Sequence, residues 1–108
     1  MLHKLSRQDR LRLMKFVCSF AWADLEVQPE ERAFVDKMMR RLELDEEERK
    51  KVAEWLEVPP SPEEVDPSEV PVAHRQLFLE TIRGLIAADR HVDPEERENL
   101  KLFEMLLP

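Results

Sequence analysis

Apolar residues recur every three or four positions through most of the chain, which is the spacing of one face of an α-helix. No segment alternates apolar and polar residues over a useful length, so no strand is predicted. The pattern predicts an all-α protein, a compact bundle of about five main helices. They run from Ser6 to about Asp24, from Pro29 to about Glu43, from Asp45 past Leu56, from Val72 to about Asp89, and from Asp93 to Leu107.

Each predicted helix has one apolar face that we expect to point into the core. The fourth has the widest stripe, extended by Leu77, which indicates a central and well-buried helix. Gly84 lies inside it, where glycine costs about 1 kcal/mol relative to alanine, and a close approach of another helix would account for it. The predicted core positions are Leu13, Met14, Val17, Phe20, Ala21, Phe34, Val35, Met38, Leu42, Val52, Trp55, Leu56, Phe78, Leu79, Ile82, Leu85, Ile86, Leu100, Phe103 and Leu107.

Local capping chemistry marks the predicted helix starts. Ser6 and Asp45 stand at N-cap positions and are followed three residues later by an acid, which is the order of a capping box. Prolines punctuate residues 58–71, and within that stretch Ser61 and Asp66 each precede a proline and an acid. Two one-turn helices are therefore predicted there.

Composition narrows the class of protein. With 108 residues, 43% of them apolar, the chain suits a single folded domain. One cysteine excludes an internal disulfide and a cysteine-based zinc site. The longest apolar run, Val17–Ala23, is much shorter than the roughly 20 residues of a membrane span, and no signal peptide is recognised. We therefore predict a cytoplasmic protein without a membrane span, and the net charge of −7 disfavours nucleic acid as a partner.

The negative charge is concentrated in one segment. Residues 43–69 hold eleven acids and three bases, whereas the rest of the chain is nearly neutral. The acids either form a solvated face and start helices, or they form a patch for a basic partner protein. If they bind a partner, the candidate residues are Glu46, Glu47 and Glu48.

A ten-residue segment occurs twice in the chain, at an offset of 65 residues. Ala23–Arg32 and Ala88–Arg97 are identical at seven of ten positions, and the apolar positions before them also correspond. The bundle is therefore predicted to consist of two related helical hairpins. The predicted parts of one domain, 1–108, are a hairpin repeat 6–43, a third helix with a proline-rich connector 44–71, and a hairpin repeat 72–108.

Each repeat places an aspartate at the end of a helix, Asp24 in the first copy and Asp89 in the second. The helix macrodipole disfavours negative charge at that end, so something should offset the cost. Backbone N–H groups of the corner, the arginines at 32 and 97, or a bound divalent cation could each do so. The candidate cation ligands are Asp24, Glu31, Asp89 and Glu96.

This corner resembles the signature of the TerB-like (tellurite-resistance TerB) family of small helical bacterial domains. Its pattern of alanine and aspartate, a hydrophobic residue three positions on, and then Pro-Glu-Glu is present in Ala23–Glu31 and in Ala88–Glu96. The resemblance covers essentially the whole chain in helix order and length. It implies a helical bundle, a cytoplasmic or membrane-peripheral setting, a stress- or metal-linked role and acidic clusters for divalent cations. A glycine usually follows the aspartate in that family, whereas this chain has Leu25 and Arg90.

No nucleophile–base pair, phosphate loop or cofactor fingerprint occurs, so the chain is not predicted to be an enzyme. Cys18 lies beside an apolar helix face and is predicted to be a buried small hydrophobe. Two hypotheses for function follow. The first is a TerB-like domain that binds a divalent cation at its acidic corners in a stress response. The second is a protein-interaction module that uses residues 43–69, as a monomer or weak homo-oligomer.

Overall fold

A computed structural model describes residues 5–22, 27–88 and 94–107, with the side chains of all of these except 62 and 94–96. Within these residues the chain forms α-helices and short 3-10 turns and no strand, which confirms the all-α prediction. None of the described helices is long and apolar enough to cross a membrane. The helices are α1 (Arg7–Ala21), α2 (Pro29–Arg41), α3 (Glu46–Glu57), α4 (Arg75–Ala88) and α5 (Pro94–Leu106), and the 3-10 turns are Pro62–Glu64, Pro67–Glu69 and Val72–His74.

The predicted starts of α1 and α3 are confirmed by their caps. The Ser6 hydroxyl accepts the backbone N–H of Asp9 at 3.1 Å, and the Asp45 carboxylate accepts that of Glu48 at 2.8 Å. Both one-turn helices are also present, and Asp66 caps the second of them by accepting the backbone N–H two residues on. Short-range chemistry that is visible in the sequence therefore decides where these elements begin.

Three helix boundaries differ from the prediction. α1 ends at Ala21, three residues before the predicted end at about Asp24. α2 ends at Arg41 because Glu43 has a φ of 54°, in the left-handed region, and the next N–H turns back to the carbonyl of Met39 at 3.1 Å. This is the Schellman arrangement, in which glycine usually holds the left-handed position. α4 begins at Arg75 and not at Val72, because the three preceding residues form a 3-10 turn after a proline.

α1 and α4 lie at the centre of the bundle. α1 packs against α3 and α4, α2 packs against α4, and α5 contacts α4 and the 3-10 turn Pro67–Glu69. Aromatic rings join the ends of the chain, because Phe103 lies with its centroid 5.1 Å from Phe16 and 5.3 Å from Phe20. Most predicted core residues are buried. The predicted core residues that stay partly exposed are Phe20, Phe34, Trp55, Leu56 and Leu100, and apolar residues that are buried without having been predicted include Leu5, Phe16, Leu44 and Val70.

The helices of the two halves keep the register of the sequence repeat. α2 and α5 each begin at a proline and each have 13 residues, and their bounds differ by the repeat offset of 65. The close approach predicted at Gly84 is confirmed, since a Cβ built there would lie 3.1 Å from the ring of Phe34. That contact joins α4 of the second half to α2 of the first.

Candidate functional site

The predicted cation-binding corners are only partly within the described residues. Asp24, Asp89 and the side chain of Glu96 lie outside them. The Glu31 side chain is 1% exposed, and its Oε1 accepts the backbone N–H of Gln28 at 2.9 Å. It therefore closes the first turn of α2 from the third helical position, where negative charge also suits the helix dipole. The described part of the chain contains no cluster of three or more His, Cys, Asp or Glu side chains suited to a metal.

The predicted partner residues Glu46, Glu47 and Glu48 have three different environments at the start of α3. Glu48 is 1% exposed, accepts the Asp45 N–H at 3.0 Å and lies 3.3 Å from a guanidinium nitrogen of Arg10. Glu47 is exposed and pairs with Arg7 at 2.8 Å. Glu46 is exposed, and its side chain makes no hydrogen bond or ion pair with a described residue. Glu48 thus joins α3 to α1, and Glu46 alone presents an unpaired charge.

These pairs also place arginines of α1 against acids at the start of α3. The Glu47 hydrogen bond and the nearby Asp45 charge raise the pKa of the Arg7 guanidinium. The pKa of the Asp45 carboxyl is lowered, chiefly by the Glu48 backbone N–H that it accepts and also by the charge of Arg7. Arg7 and Arg10 of α1 therefore neutralise part of the acidic segment internally.

The eleven acids of residues 43–69 fall into two groups. Five of them cap a helix turn or pair with an arginine, and these are Asp45, Glu47, Glu48, Glu64 and Asp66. The other six are exposed, and their side chains make no hydrogen bond or ion pair with a described residue. They are Glu43, Glu46, Glu54, Glu57, Glu63 and Glu69.

Two of the six unpaired acids border a groove at the C-terminal end of α3. The groove encloses about 590 Å³, and no lysine or arginine lines it. Val58, which follows the last residue of α3, is 70% exposed in it, whereas Pro60 is buried. The residues that line this α3 groove are Ala53, Glu54, Trp55, Glu57, Val58, Pro59, Pro60 and Glu64.

Trp55 lies between the α3 groove and a second, charged cleft. The Lys15 ammonium is 5.6 Å from the centroid of the Trp55 ring, within cation–π range. The cleft on that side is also lined by Arg12 and Lys51, together with acids that include Glu54. The indole N–H of Trp22 donates to the carbonyl of Trp55 at 2.9 Å and so holds the end of α3 against α1.

The charge at the end of α3 is opposite to what the helix dipole favours. Its last turn contains Glu54 and Glu57 and no base. A helix C-terminus carries partial negative charge and is stabilised by cations, each contributing about 0.3–1 kcal/mol at an exposed site. Two unpaired glutamates there make the α3 groove a place where a cationic group is electrostatically favoured.

The environment of the single cysteine does not suit a catalytic nucleophile. Cys18 is fully buried in α1, as predicted, and burial raises the pKa of its thiol to about 12. A thiol with that pKa is protonated at neutral pH and is a poor nucleophile.

Comparison with known proteins gives no relative from which a function could be transferred. No protein-family model, no curated protein and no solved structure matches the chain. The function must therefore be argued from the α3 groove and from the residues around it.

Proposed function

We propose that the chain is a non-catalytic protein-interaction module whose α3 groove binds a basic segment of a partner protein. The observation that supports this is the pairing of exposed apolar surface with unneutralised acid at one place. Val58 and Trp55 offer apolar contact, Glu54 and Glu57 offer negative charge, and no lysine or arginine lines the α3 groove itself. This keeps the interaction hypothesis for residues 43–69 and moves the binding residues from the start of α3 to its end.

The chemistry of the groove defines the segment that it would accept. An apolar side chain can pack against Trp55 and Val58, while a neighbouring lysine or arginine faces Glu54 and Glu57. Burial of the apolar group provides affinity, and the charges select basic partners and speed their encounter. Each exposed charge pair contributes only about 0.2–1 kcal/mol, so binding also requires the apolar contact.

The proposal is tested with a basic probe, a short fluorescein-labelled peptide of lysine and serine with one central leucine. Fluorescence anisotropy measures its binding to the wild type and to the double variant Glu54→Lys/Glu57→Lys. We expect the reversal to weaken binding roughly tenfold or more, because two attractive pairs become repulsive. Raising the salt concentration to about 0.5 M should weaken binding to the wild type as well.

The matched control reverses two other unpaired acids of the same segment, in Glu43→Lys/Glu46→Lys. The net charge changes by the same amount, but Glu46 lies about 16 Å from Glu57 along the helix axis. If the control loses as much affinity as the groove variant, attraction is diffuse and the proposal is wrong. It is also wrong if the basic probe binds neither the wild type nor any variant.

Membership of the TerB-like family is a second proposal, with its stress-linked role and cation sites. It is supported by the duplicated motif, by the all-helical fold, and by a second helix that starts at the proline of each motif. Soaking or titrating the protein with divalent cations tests the cation sites separately from the α3 groove.

A further inference from the structure

A second groove lies next to the α3 groove and is bordered by α1, α5 and the connector. It encloses about 310 Å³, and its lining includes Phe16, Phe20, Val65, Leu102 and Leu106. Leu102 and Leu106 are 54% and 60% exposed, and Met105 beside them is 78% exposed. Three large apolar side chains thus face solvent together at the spacing of one helix face. We call this groove the α5 trough.

The internal repeat shows that this apolar face is not a requirement of the fold. Positions 65 residues earlier, in α2, occupy the equivalent places in the other hairpin and are also exposed. All three positions hold lysine or arginine, and such basic side chains are favoured at the solvent-exposed C-terminal end of a helix. The equivalent pairs are Lys37 and Leu102, Arg40 and Met105, and Arg41 and Leu106.

The same comparison explains why the trough is open. In the first hairpin Phe34 of α2 presses its ring against Gly84 of α4. The equivalent positions are Asn99 of α5 and Ser19 of α1, and both of them line the trough. A large ring fills the interface between α2 and α4, whereas a small amide stands at the corresponding place between α5 and α1.

Pro60 lines both the α5 trough and the α3 groove. Of the two neighbouring residues Glu64 and Val65, the first lines the α3 groove and the second lines the α5 trough, so the two grooves are adjacent. We propose that one partner segment occupies both, with basic residues at the α3 groove and large apolar side chains in the α5 trough. The proposal rests on the proposed function and adds the order in which basic and apolar residues follow one another along the partner segment. Such a segment is amphipathic, basic at one end and rich in leucine-like residues at the other.

The test compares the basic probe with an extended probe, which carries the same sequence followed by alternating leucine and serine. We expect the extended probe to bind the wild type roughly tenfold more tightly, because its leucines are partly buried in the trough. Leu102→Ser/Leu106→Ser, and separately Asn99→Phe, which fills the trough, should abolish this gain and leave binding of the basic probe unchanged. Val72→Ser is the control, since Val72 is 70% exposed and lines neither groove.

The outcomes separate this inference from the proposed function. If the two probes bind the wild type equally, or the gain survives both trough variants, the extension is wrong while the α3 groove stands. If neither probe binds, the proposed function itself fails. If sedimentation velocity shows that the wild type dimerises without peptide and that Leu102→Ser/Leu106→Ser does not, a second copy covers the trough and the inference is overturned.

Discussion

The substitution Glu48→Gln tests whether the buried carboxylate holds α3 to α1. Glu48 is 1% exposed, 3.3 Å from a guanidinium nitrogen of Arg10, and bonded to the Asp45 N–H. Glutamine keeps the size of the side chain and one oxygen that can accept the Asp45 N–H. What it removes is the negative charge opposite Arg10, whose Nε is buried and has no hydrogen-bond partner.

The expected cost follows from the burial of the two partners. Removing one member of a fully buried ion pair costs about 3–5 kcal/mol, because the other charge is left uncompensated. The Arg10 side chain is 21% exposed and also donates to the carbonyl of Leu5 at 2.8 Å, so water and this carbonyl replace part of the loss. We therefore expect Glu48→Gln to lower the free energy of unfolding by about 2 kcal/mol.

Urea denaturation followed by circular dichroism measures this difference, and Glu47→Gln is the control. Glu47 is the preceding residue, its partner Arg7 lies at 2.8 Å, and the two side chains are 78% and 49% exposed. Screening by solvent limits such a pair to about 0.5 kcal/mol. Equal effects of the two substitutions, or a loss below about 0.5 kcal/mol for Glu48→Gln, would refute the reasoning.

Four further predictions concern other parts of the chain. Gly84→Val should lower the free energy of unfolding by about 2 kcal/mol, because even a Cβ there lies 3.1 Å from an aromatic ring. Glu43→Gly should raise it by about 0.5–1 kcal/mol, since glycine adopts the left-handed conformation without steric cost. The pKa of Asp45 is lowered in the folded chain, so its stabilising contribution is present above its unfolded pKa of about 3.9 and is lost as pH falls through the folded value. The free energy of unfolding of Asp45→Asn should therefore fall less than that of the wild type when the pH is lowered through this range. Calorimetric titration with Ca²⁺, Mg²⁺, Zn²⁺ and Mn²⁺ should give heat with the wild type and none with Asp24→Asn/Asp89→Asn.

Each of these predictions has a result that contradicts it. For Gly84, the reasoning fails if the valine variant is as stable as the wild type, or if shortening Phe34 to leucine does not restore stability. For Glu43, an alanine variant as stable as the glycine variant would show that backbone strain is absent. A pH profile unchanged in Asp45→Asn contradicts the shifted pKa. For the corners, no heat from the wild type with any of the four cations would refute the cation hypothesis.

Local chemistry made the helices predictable from the sequence. The caps at Ser6 and Asp45 depend on residues three positions apart, and the apolar faces depend on residues three and four apart. Gly84 was also correctly interpreted, because a glycine inside a strongly apolar helix has few explanations other than close packing. The end of α2 was placed too late because nothing in the sequence marks Glu43 as left-handed.

The candidate site was less predictable because it depends on contacts between distant residues. The sequence predicts Glu48 as the acid of the α3 capping box and as a candidate partner residue, but not its burial, which depends on Arg10, 38 residues away. Trp55 packs against the core, as the sequence predicts, but it stays partly exposed, with Lys15 of another helix near its ring. The apolar periodicity of α5 does not distinguish its exposed face from its buried face, but comparing its leucines with the bases at the same positions of α2 does.

The ring contacts of Phe103 also bear on the order in which the molecule folds. They join α5 to Phe16 and Phe20 of α1, across more than three-quarters of the chain. Contacts so distant in sequence form late, because the loop-closure entropy is offset only after the intervening helices have packed. The α5 trough is therefore among the last surfaces to be completed. During synthesis a partner would meet the α3 groove first and the apolar face of α5 only after that helix has left the ribosome.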